Sequence, residues 1–423
     1  MNGEPTIEAG ISEPGKARIS RMHCFFQVTF GLFLVLFIIP FPLTFIPGAE
    51  VVEAWVDAAI LPITEKVGPL FSLHPVLEPT GSGDTAFNYL KLLVILVLSM
   101  AIAAAFIPRS ITKERSERLE TLIRIFVRYF LGAIMLTYGL GKVLPLQFPM
   151  PSADRLLTSY GDSSPMGLVW RLMGLSPIYS AIAGACEAVG GYLLFFRRTT
   201  TFGGFLLVPV MFNIMFLNYC YDIPVKLHST MYCLMLVFLL WGDGWTIAKS
   251  LWKRTAIPFT EHRPPFKNPK ITFAVKALLL LLIFGQQFFQ LREEIKMIAT
   301  MRKPSGFSGA YSSKPVGANQ SATTADWTQV FISPKGQMVA INTRGDTLRF
   351  KIVKTKDPAK FDIPDDKRKG EITLVALDKE RITLDGTIGG DKFQYVLTKI
   401  DDARAFLVLN RGFHWIQEKP FHK

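Results

Sequence analysis

The run Asn218-Tyr219-Cys220-Tyr221-Asp222-Ile223-Pro224-Val225-Lys226-Leu227-His228 joins two apolar stretches, at about 201–219 and 227–246. It packs an acid, two bases and two phenols into a link too short to be a domain of its own. An α-helix needs roughly 20 apolar residues to cross about 30 Å of hydrocarbon, and each flanking stretch approaches that length. The link is therefore the mouth of a helical hairpin, turning at a membrane surface. Charge in hydrocarbon is costly, so ionisable groups crowded there face a cavity, a partner or the lipid headgroups.

Working outward, seven such runs lie at about 23–46, 86–107, 123–146, 178–196, 201–219, 227–246 and 272–291, each bounded by Pro, Gly or charge. Apolar residues make up 49% of the chain, and its mean hydropathy is +0.29. The net charge of +13 is unevenly distributed. Lys16, Arg18 and Arg21 precede the first run, Arg109, Lys113, Arg115, Arg118 and Arg124 follow the second, Arg197 and Arg198 follow the fourth, and Lys249, Lys253, Arg254, Arg263, Lys267 and Lys270 follow the sixth. The alternate links are poorer in Lys and Arg; one carries Glu50, Glu53, Asp57, Glu65, Glu78 and Asp84, another Asp154, Arg155 and Asp162. The positive-inside rule then sets the basic links in the cytoplasm and the tail outside. Because topology accounts for the basic residues, the chain needs no nucleic-acid partner to explain them.

The expected fold is a mainly α, polytopic bundle of about seven transmembrane helices with a small C-terminal antiparallel β domain. Its expected divisions are a cytoplasmic tail (1–22), two spans with an extracytoplasmic loop (23–122), a four-helix core (123–246), a cytoplasmic loop and seventh span (247–299), a linker (300–326) and an extracytoplasmic β domain (327–423). The first apolar run is too long for a signal peptide and lacks a small-residue cleavage site, so it reads as a span. Cys24, Cys186, Cys220 and Cys233 fall in or beside spans, so the tail cannot rely on disulfides. Buried cysteines usually serve as small hydrophobes; Cys186, Cys220 and Cys233 would form a thiol site only if their helices meet.

The linker stretch is rich in Ser, Gly, Ala, Lys and Thr without periodicity. Beyond it, 328–333, 337–343, 347–354, 371–377, 380–388, 392–400 and 404–409 alternate apolar and polar residues. Turn signals separate them at Ser333-Pro334-Lys335-Gly336, Arg344-Gly345-Asp346 and Gly389-Gly390-Asp391. The stretch Gly412-Phe413-His414-Trp415-Ile416-Gln417-Glu418 would cover an open end of this domain or touch the bilayer. The tail carries no metal-ligand cluster, nucleophile motif or phosphate loop. His414 and His422 have no acid between them at ligand spacing, so solvation or packing suits them better than metal.

Polar residues inside the spans are the candidate site. Tyr138 and Lys142 share a helical face four residues apart, with Pro145 and Gln147 following. They would either snorkel to the interface or line a pocket, and Gly139 and Gly141 beside them favour the bundle interior. Glu187, midway between Pro177 and Arg197, is the costliest residue in the chain. It needs a proton or a partner, for which Lys142 and Asn213 are candidates, and Gly184, Ala188 and Gly191 let another helix approach. It acts as an interhelical clamp or as a proton carrier or ligand-binding group. Asn213 reads as interhelical glue, whereas Asn218 adjoins the hairpin. There Asp222 and Lys226 would pair across Pro224, and His228, shielded beside Asp222, would serve as an acid or base; a solvated turn with an ordinary surface ion pair is the alternative.

The stretch Tyr129–Trp241 resembles the DoxX-like family of four-helix bacterial membrane proteins. The residues that carry the resemblance are Tyr138-Gly139-Leu140-Gly141-Lys142, the glycine-rich Gly184 to Gly191 around Glu187, Phe196-Arg197-Arg198-Thr199-Thr200-Thr201, and Asn218 to Lys226. The resemblance implies a four-helix bundle in the bacterial inner membrane, with relatives that include the small subunit of a thiosulfate:quinone oxidoreductase and membrane partners of redox enzymes. The chain departs from that pattern by two spans before the core, one after it and the β domain, and it has no paired-His haem signature. A more distant resemblance, to the transmembrane domain found with vitamin K-dependent carboxylases, rests on a Lys at the outer membrane face and brings no catalytic motif.

Two classes of function follow. In one, Tyr138, Lys142, Glu187, Asn213, Asn218, Asp222, Lys226 and His228 line a cavity open to the outer leaflet and bind a quinone or another amphipathic molecule, with Glu187 or His228 moving protons. In the other, the same groups hold the bundle together, and the chain is a non-catalytic adaptor whose β domain docks a periplasmic protein or envelope lipid.

Overall fold

The computed structural model of the chain describes residues 18–46, 48, 50–78, 80–106, 111–256, 268–301, 307–316, 326–333, 336–355, 357, 359–364, 369–400 and 406–410. Two compact units result: Met1–Gln147 with Ile178–Leu291, and Phe148–Pro177 with Arg292–Lys423.

In chain order the elements of the first part are β1 (Arg18–Ile19), α1 (Arg21–Ile38), α2 (Glu50–Val67), α3 (Ala86–Phe106), β2 (Ile111–Thr112), α4 (Lys113–Val143), α5 (Ala153–Leu156), α6 (Pro165–Leu175), α7 (Pro177–Leu194), α8 (Thr200–Cys220), α9 (Lys226–Lys253) and α10 (Pro269–Met301). All seven apolar runs are helical. By length and apolarity five segments are able to cross a membrane: Cys24–Phe45, Ala86–Phe106, Thr200–Cys220, Lys226–Lys253 and Pro269–Lys296. By this criterion five of the expected seven spans are met, or six if α6 and α7, broken at Ser176, count as one span. The two runs that fall short alone, α4 and α7, are those interrupted by Arg128, Lys142 and Glu187. The acid-rich link read as a loop contains α2, whose Asp57 accepts a hydrogen bond from Lys91 on α3.

The helical unit is held by a core that includes Leu34, Val127, Leu131, Leu207, Met235, Leu236 and Ile283, all essentially inaccessible. Lipid tails are as apolar as leucine, so in a bilayer such packing is selected by shape and close approach rather than by transfer from water. Gly132 and Gly139 of α4 meet Gly184 and Gly191 of α7 at matching seven-residue intervals. A Cβ on Gly139 would lie 2.5 Å from the Ala188 nitrogen, and one on Gly191 would lie 2.9 Å from the Gly132 carbonyl. Gly141 has nothing within 4 Å of such a Cβ, so of the two glycines flanking Leu140 only Gly139 makes the close approach.

The second unit is built on β3 (Gly309–Pro315), β4 (Trp327–Ile332), β5 (Gln337–Asn342), β6 (Thr347–Lys351), β7 (Val353–Lys354), β8 (Lys360–Ile363), β9 (Gly370–Ala376), β10 (Arg381–Ile388) and β11 (Asp391–Ile400). Every pairing is antiparallel, and the strand order is β6-β5-β4-β3-β11-β10-β9-β8-β7. The two edge strands, β6 and β7, are separated in sequence only by Ile352, so the sheet curls until its ends meet and becomes barrel-like. Its interior stacks Trp327 on Tyr395 with ring planes 7° apart and centroids 5.3 Å apart, surrounded by Val330, Met338, Ile372, Leu384 and Leu397. The three turn signals hold: Gly336, Gly345, Gly389 and Gly390 all have positive φ, which a Cβ would strain.

Four expectations change in this unit. The stretch 300–326 is not all linker, because β3 lies within it and pairs with both β4 and β11. Its Gly-Ala-Tyr-Ser-Ser sequence is small and polar, so the burial of Ala310, Tyr311 and Ser313 is not legible as an apolar run. The expected strand at 404–409 gives way to a short helix at Leu407–Asn410, and β8 was not anticipated. Residues 148–177 also belong here rather than forming a bare link between spans. Leu157 packs with Ala310, Phe331 and Val339, and Arg349 donates to the Thr158 hydroxyl at 3.1 Å. Gly412–Glu418, with His414, and His422 lie outside the described residues.

Candidate functional site

The glycine seam between α4 and α7 sets the first half of the expected site. It brings Lys142, 7% exposed, and Glu187, 2% exposed, face to face, and the Lys142 ammonium donates directly to Glu187 Oε1. Tyr138, one turn back on α4, lies within electrostatic reach of Glu187 and of Tyr232 on α9. The partner expected for Glu187 is therefore Lys142 and not Asn213, which is exposed on α8. The pair ties α4 to α7, because removing either partner would leave the other charge buried alone.

The hairpin supplies the second half. Asp222 adopts the left-handed conformation (φ 49°) and accepts from the Lys226 ammonium at 2.7 Å. The residue that organises the turn comes from elsewhere. Asp84, in the link before α3, accepts from the backbone N–H groups of Lys226 at 2.8 Å and Leu227 at 2.9 Å, and its carboxylate lies 3.6 Å from the Lys226 ammonium. It caps α9 in trans, where the helix dipole favours an anion, and Gly83 N–H donates to the Pro224 carbonyl at 2.8 Å beside it. In the sequence Asp84 reads as one acid among several or as a cap for α3, so its partner across 142 residues was not foreseeable.

His228 does not join Asp222. Its ring sits between Phe37, with centroids 5.9 Å apart, and Tyr232, at 6.2 Å, with Gly83 pressed so close that a Cβ there would lie 2.9 Å from Nδ1. Asn218 is buried, with its side-chain Nδ2 lacking a hydrogen-bond partner. The eight expected residues thus resolve into a closed Lys142–Glu187 pair near Tyr138, a hairpin network of Asp222 and Lys226 joined by Asp84, an aromatic-packed His228, a buried Asn218 and an outlying Asn213. The four cysteines are free, and no group of metal-binding side chains exists among the described residues.

A cavity of the helical unit lies elsewhere, along the first half of α4. It has a volume of about 690 Å³, within the range of small-molecule sites. Its walls are apolar, formed by residues such as Leu32, Val35, Phe126 and Leu279, while Arg128, Arg197 and Lys276 contribute cationic groups. Thr200, Thr201 and Asp243 are among the further polar groups; Thr201 donates to the Asp243 carboxylate. Arg124, also in the lining, is engaged by Glu120 at 2.8 Å and by the Leu239 carbonyl at 2.7 Å. None of the eight residues expected to form the site lines this cavity. Its sequence signal was Arg128, an ionisable residue inside the third apolar run, which the rule applied to Glu187 would have marked as well.

No family model matches the chain, and no solved structure matches it. The uncharacterized protein YwoB of Bacillus subtilis (strain 168) is 33% identical over 116 residues, which make up 27% of this chain and 73% of that protein. Through that segment the chain belongs to the same family as the Bacillus subtilis protein.

Proposed function

We propose that this is a multi-pass membrane protein with a DoxX-like core at about 123–246, whose helical unit binds an amphipathic small molecule. The observation that carries the reading is the 690 Å³ cavity, apolar in its walls and cationic in part of its lining. It moves the binding site away from the outer end of the core, where Lys142 and Glu187 satisfy each other. A quinone suits the apolar walls and agrees with the redox setting that the DoxX resemblance implies.

Parity supports a reading with seven crossings. β1 pairs with β2, Arg18 opposite Thr112, so the segments before α1 and after α3 share one membrane face; α1 and α3 then cross, and α2 lies along the surface. Residues 148–177 and the β domain form one unit, so the crossings between them are even in number. Three of the five apolar segments fall in that interval, and α7 supplies the fourth. The Asp84 contact with the mouth of α9 requires an even number between α3 and α8, which α4 completes. The Lys and Arg distribution sets the N-terminus in the cytoplasm and the β domain outside a bacterial inner membrane.

The adaptor reading draws on the direct pairing of Lys142 with Glu187, which joins α4 to α7, and leaves the β domain to bind a periplasmic partner or envelope lipid. Extraction in mild detergent decides between the two. The full chain is expected to retain an amphipathic molecule detectable by absorbance or mass, and Val35→Trp with Leu279→Trp, which fills the cavity, is expected to lose it while keeping the helical circular dichroism. A chain that purifies empty, or a filled variant that retains the same molecule, overturns the binding reading in favour of the adaptor.

A further inference from the structure

Resting on the reading of this cavity as a ligand site, we infer that its ligand is an anionic lipid, its phosphate held by Arg128, Arg197 and Lys276 and its chains in the apolar cavity. The three cations come from different parts of the chain: Arg128 from α4, Arg197 from the turn before α8, and Lys276 from α10. All three line the cavity. Arg128 feels both Arg197 and Lys276 electrostatically, yet among the described residues no carboxylate pairs with any of the three.

Of the two carboxylates nearby, Glu120 is paired with Arg124, and Asp243, which also lines the cavity, accepts from the Thr201 hydroxyl and keeps its charge, one anion against the three cations. Arg128 donates weakly to the Thr200 hydroxyl at 3.4 Å, and its Nε is buried with no hydrogen-bond partner. Arg128 also interacts with the side chain of Tyr129, through a hydrogen bond and with the ring 5.4 Å from its guanidinium carbon, and the Phe196 ring lies 4.8 Å from the Lys276 ammonium.

Like charges gathered beside low-dielectric walls repel unless an anion joins them, and an unsatisfied buried donor adds to that cost. An acceptor with several oxygens and a negative charge removes both, and a phosphate is the chemistry that arginine recognises best. The cavity decides the source. A free phosphate has no use for walls such as Leu32, Val35, Phe126 and Leu279, whereas acyl chains fill them. The basic end of the bundle also faces the leaflet in which anionic lipids concentrate, under the proposed topology.

The test uses the full chain in detergent, with phosphatidylglycerol, phosphatidylcholine of the same chains, a neutral quinone and inorganic phosphate as separate probes, read by native mass spectrometry and thermal shift. Phosphatidylglycerol is expected to bind in preference to phosphatidylcholine. Arg197→Gln and Lys276→Gln are each expected to cut that preference about fivefold, the effect of one surface cation on an anionic lipid.

Lys249→Gln, which removes a cationic side chain stacked on Trp245 and outside the cavity lining, is expected to change nothing. Arg197 is exposed, so its variant keeps the test valid if Arg128→Gln fails to fold. Equal binding of the two lipids, or an equal loss in Lys249→Gln, overturns the inference. Binding of the quinone alone, indifferent to the substitutions, overturns the lipid while sparing the cavity as a ligand site. Displacement of the lipid by equimolar inorganic phosphate identifies a free-anion site and overturns it too. If neither lipid nor quinone is retained, the cavity reading itself fails.

Discussion

Lys142 and Glu187 are each intolerable at their depth without the other, which makes their coupling measurable. Removing one partner of a buried pair strands the remaining charge, at a cost of about 3 kcal/mol or more, while replacing both by apolar groups of similar size is often close to neutral. Glu187→Gln alone and Lys142→Met alone are therefore expected to lower the thermal midpoint in detergent strongly, and the double variant Lys142→Met with Glu187→Leu to recover most of the loss. Additive losses in the double variant would mean that the two side chains act independently and that the clamp is not what joins α4 to α7. Both residues were legible in the sequence as costly groups, because an ionisable side chain in an apolar run stands out whatever its partner. Asp84 was not, since an acid in a polar link looks solvated until the chain that it caps comes into view. Arg128 was legible by the same rule as Glu187 but is close enough to the basic flank at the start of α4 to pass as part of it.

The helices and strands follow their sequence signals, with differences that have physical causes. Each of the seven apolar runs is a helix, because length and apolarity suffice to specify one, and the turn glycines of the sheet sit where positive φ is needed. What sequence conveyed less well was which small residues make contact. Gly139 and Gly141 look equivalent two positions apart, yet adjacent odd positions of a helix point to different faces. Gly139 meets the α7 backbone, which cannot move aside as a flexible side chain would, and Gly141 meets nothing. Gly139→Ala is expected to separate α4 from α7 and to cost about 1–3 kcal/mol, the usual scale of overpacking. Gly141→Ala is expected to be neutral or to stabilise by up to about 1 kcal/mol through helix propensity. Chemical or thermal unfolding of the two variants side by side checks this; equal costs would mean that the seam is not the determinant of that contact. The same principle explains β3, where Ala310, Tyr311 and Ser313 are buried by neighbours on both sides rather than by an apolar pattern of their own.

At the scale of the whole molecule, the path of the chain through the bilayer is constrained by pairs of segments distant in sequence that touch. Apolarity alone yields five crossings, and with five the packing of residues 148–177 against the β domain would require a polar segment to pass through lipid. The proposed seven crossings, in which α4 and α7 also span, avoid that conflict, and their charged residues are tolerable there because Lys142 and Glu187 pair with each other and Arg128 lies towards the basic end. The resulting topology predicts four labelling outcomes with a membrane-impermeant thiol reagent on intact spheroplasts of a Cys220→Ser background. Ser159→Cys, before α6, and Lys379→Cys, between β9 and β10, are expected to react. Glu117→Cys, near the start of α4, and Lys253→Cys, at the end of α9, are expected to react only after lysis. Reaction of the first pair from opposite sides would break the parity on which α7 rests. Reaction of Glu117→Cys or Lys253→Cys in intact cells, with Ser159→Cys and Lys379→Cys protected, would keep seven crossings but invert them, placing the cationic cavity in the outer half of the membrane and removing the leaflet argument for its lipid.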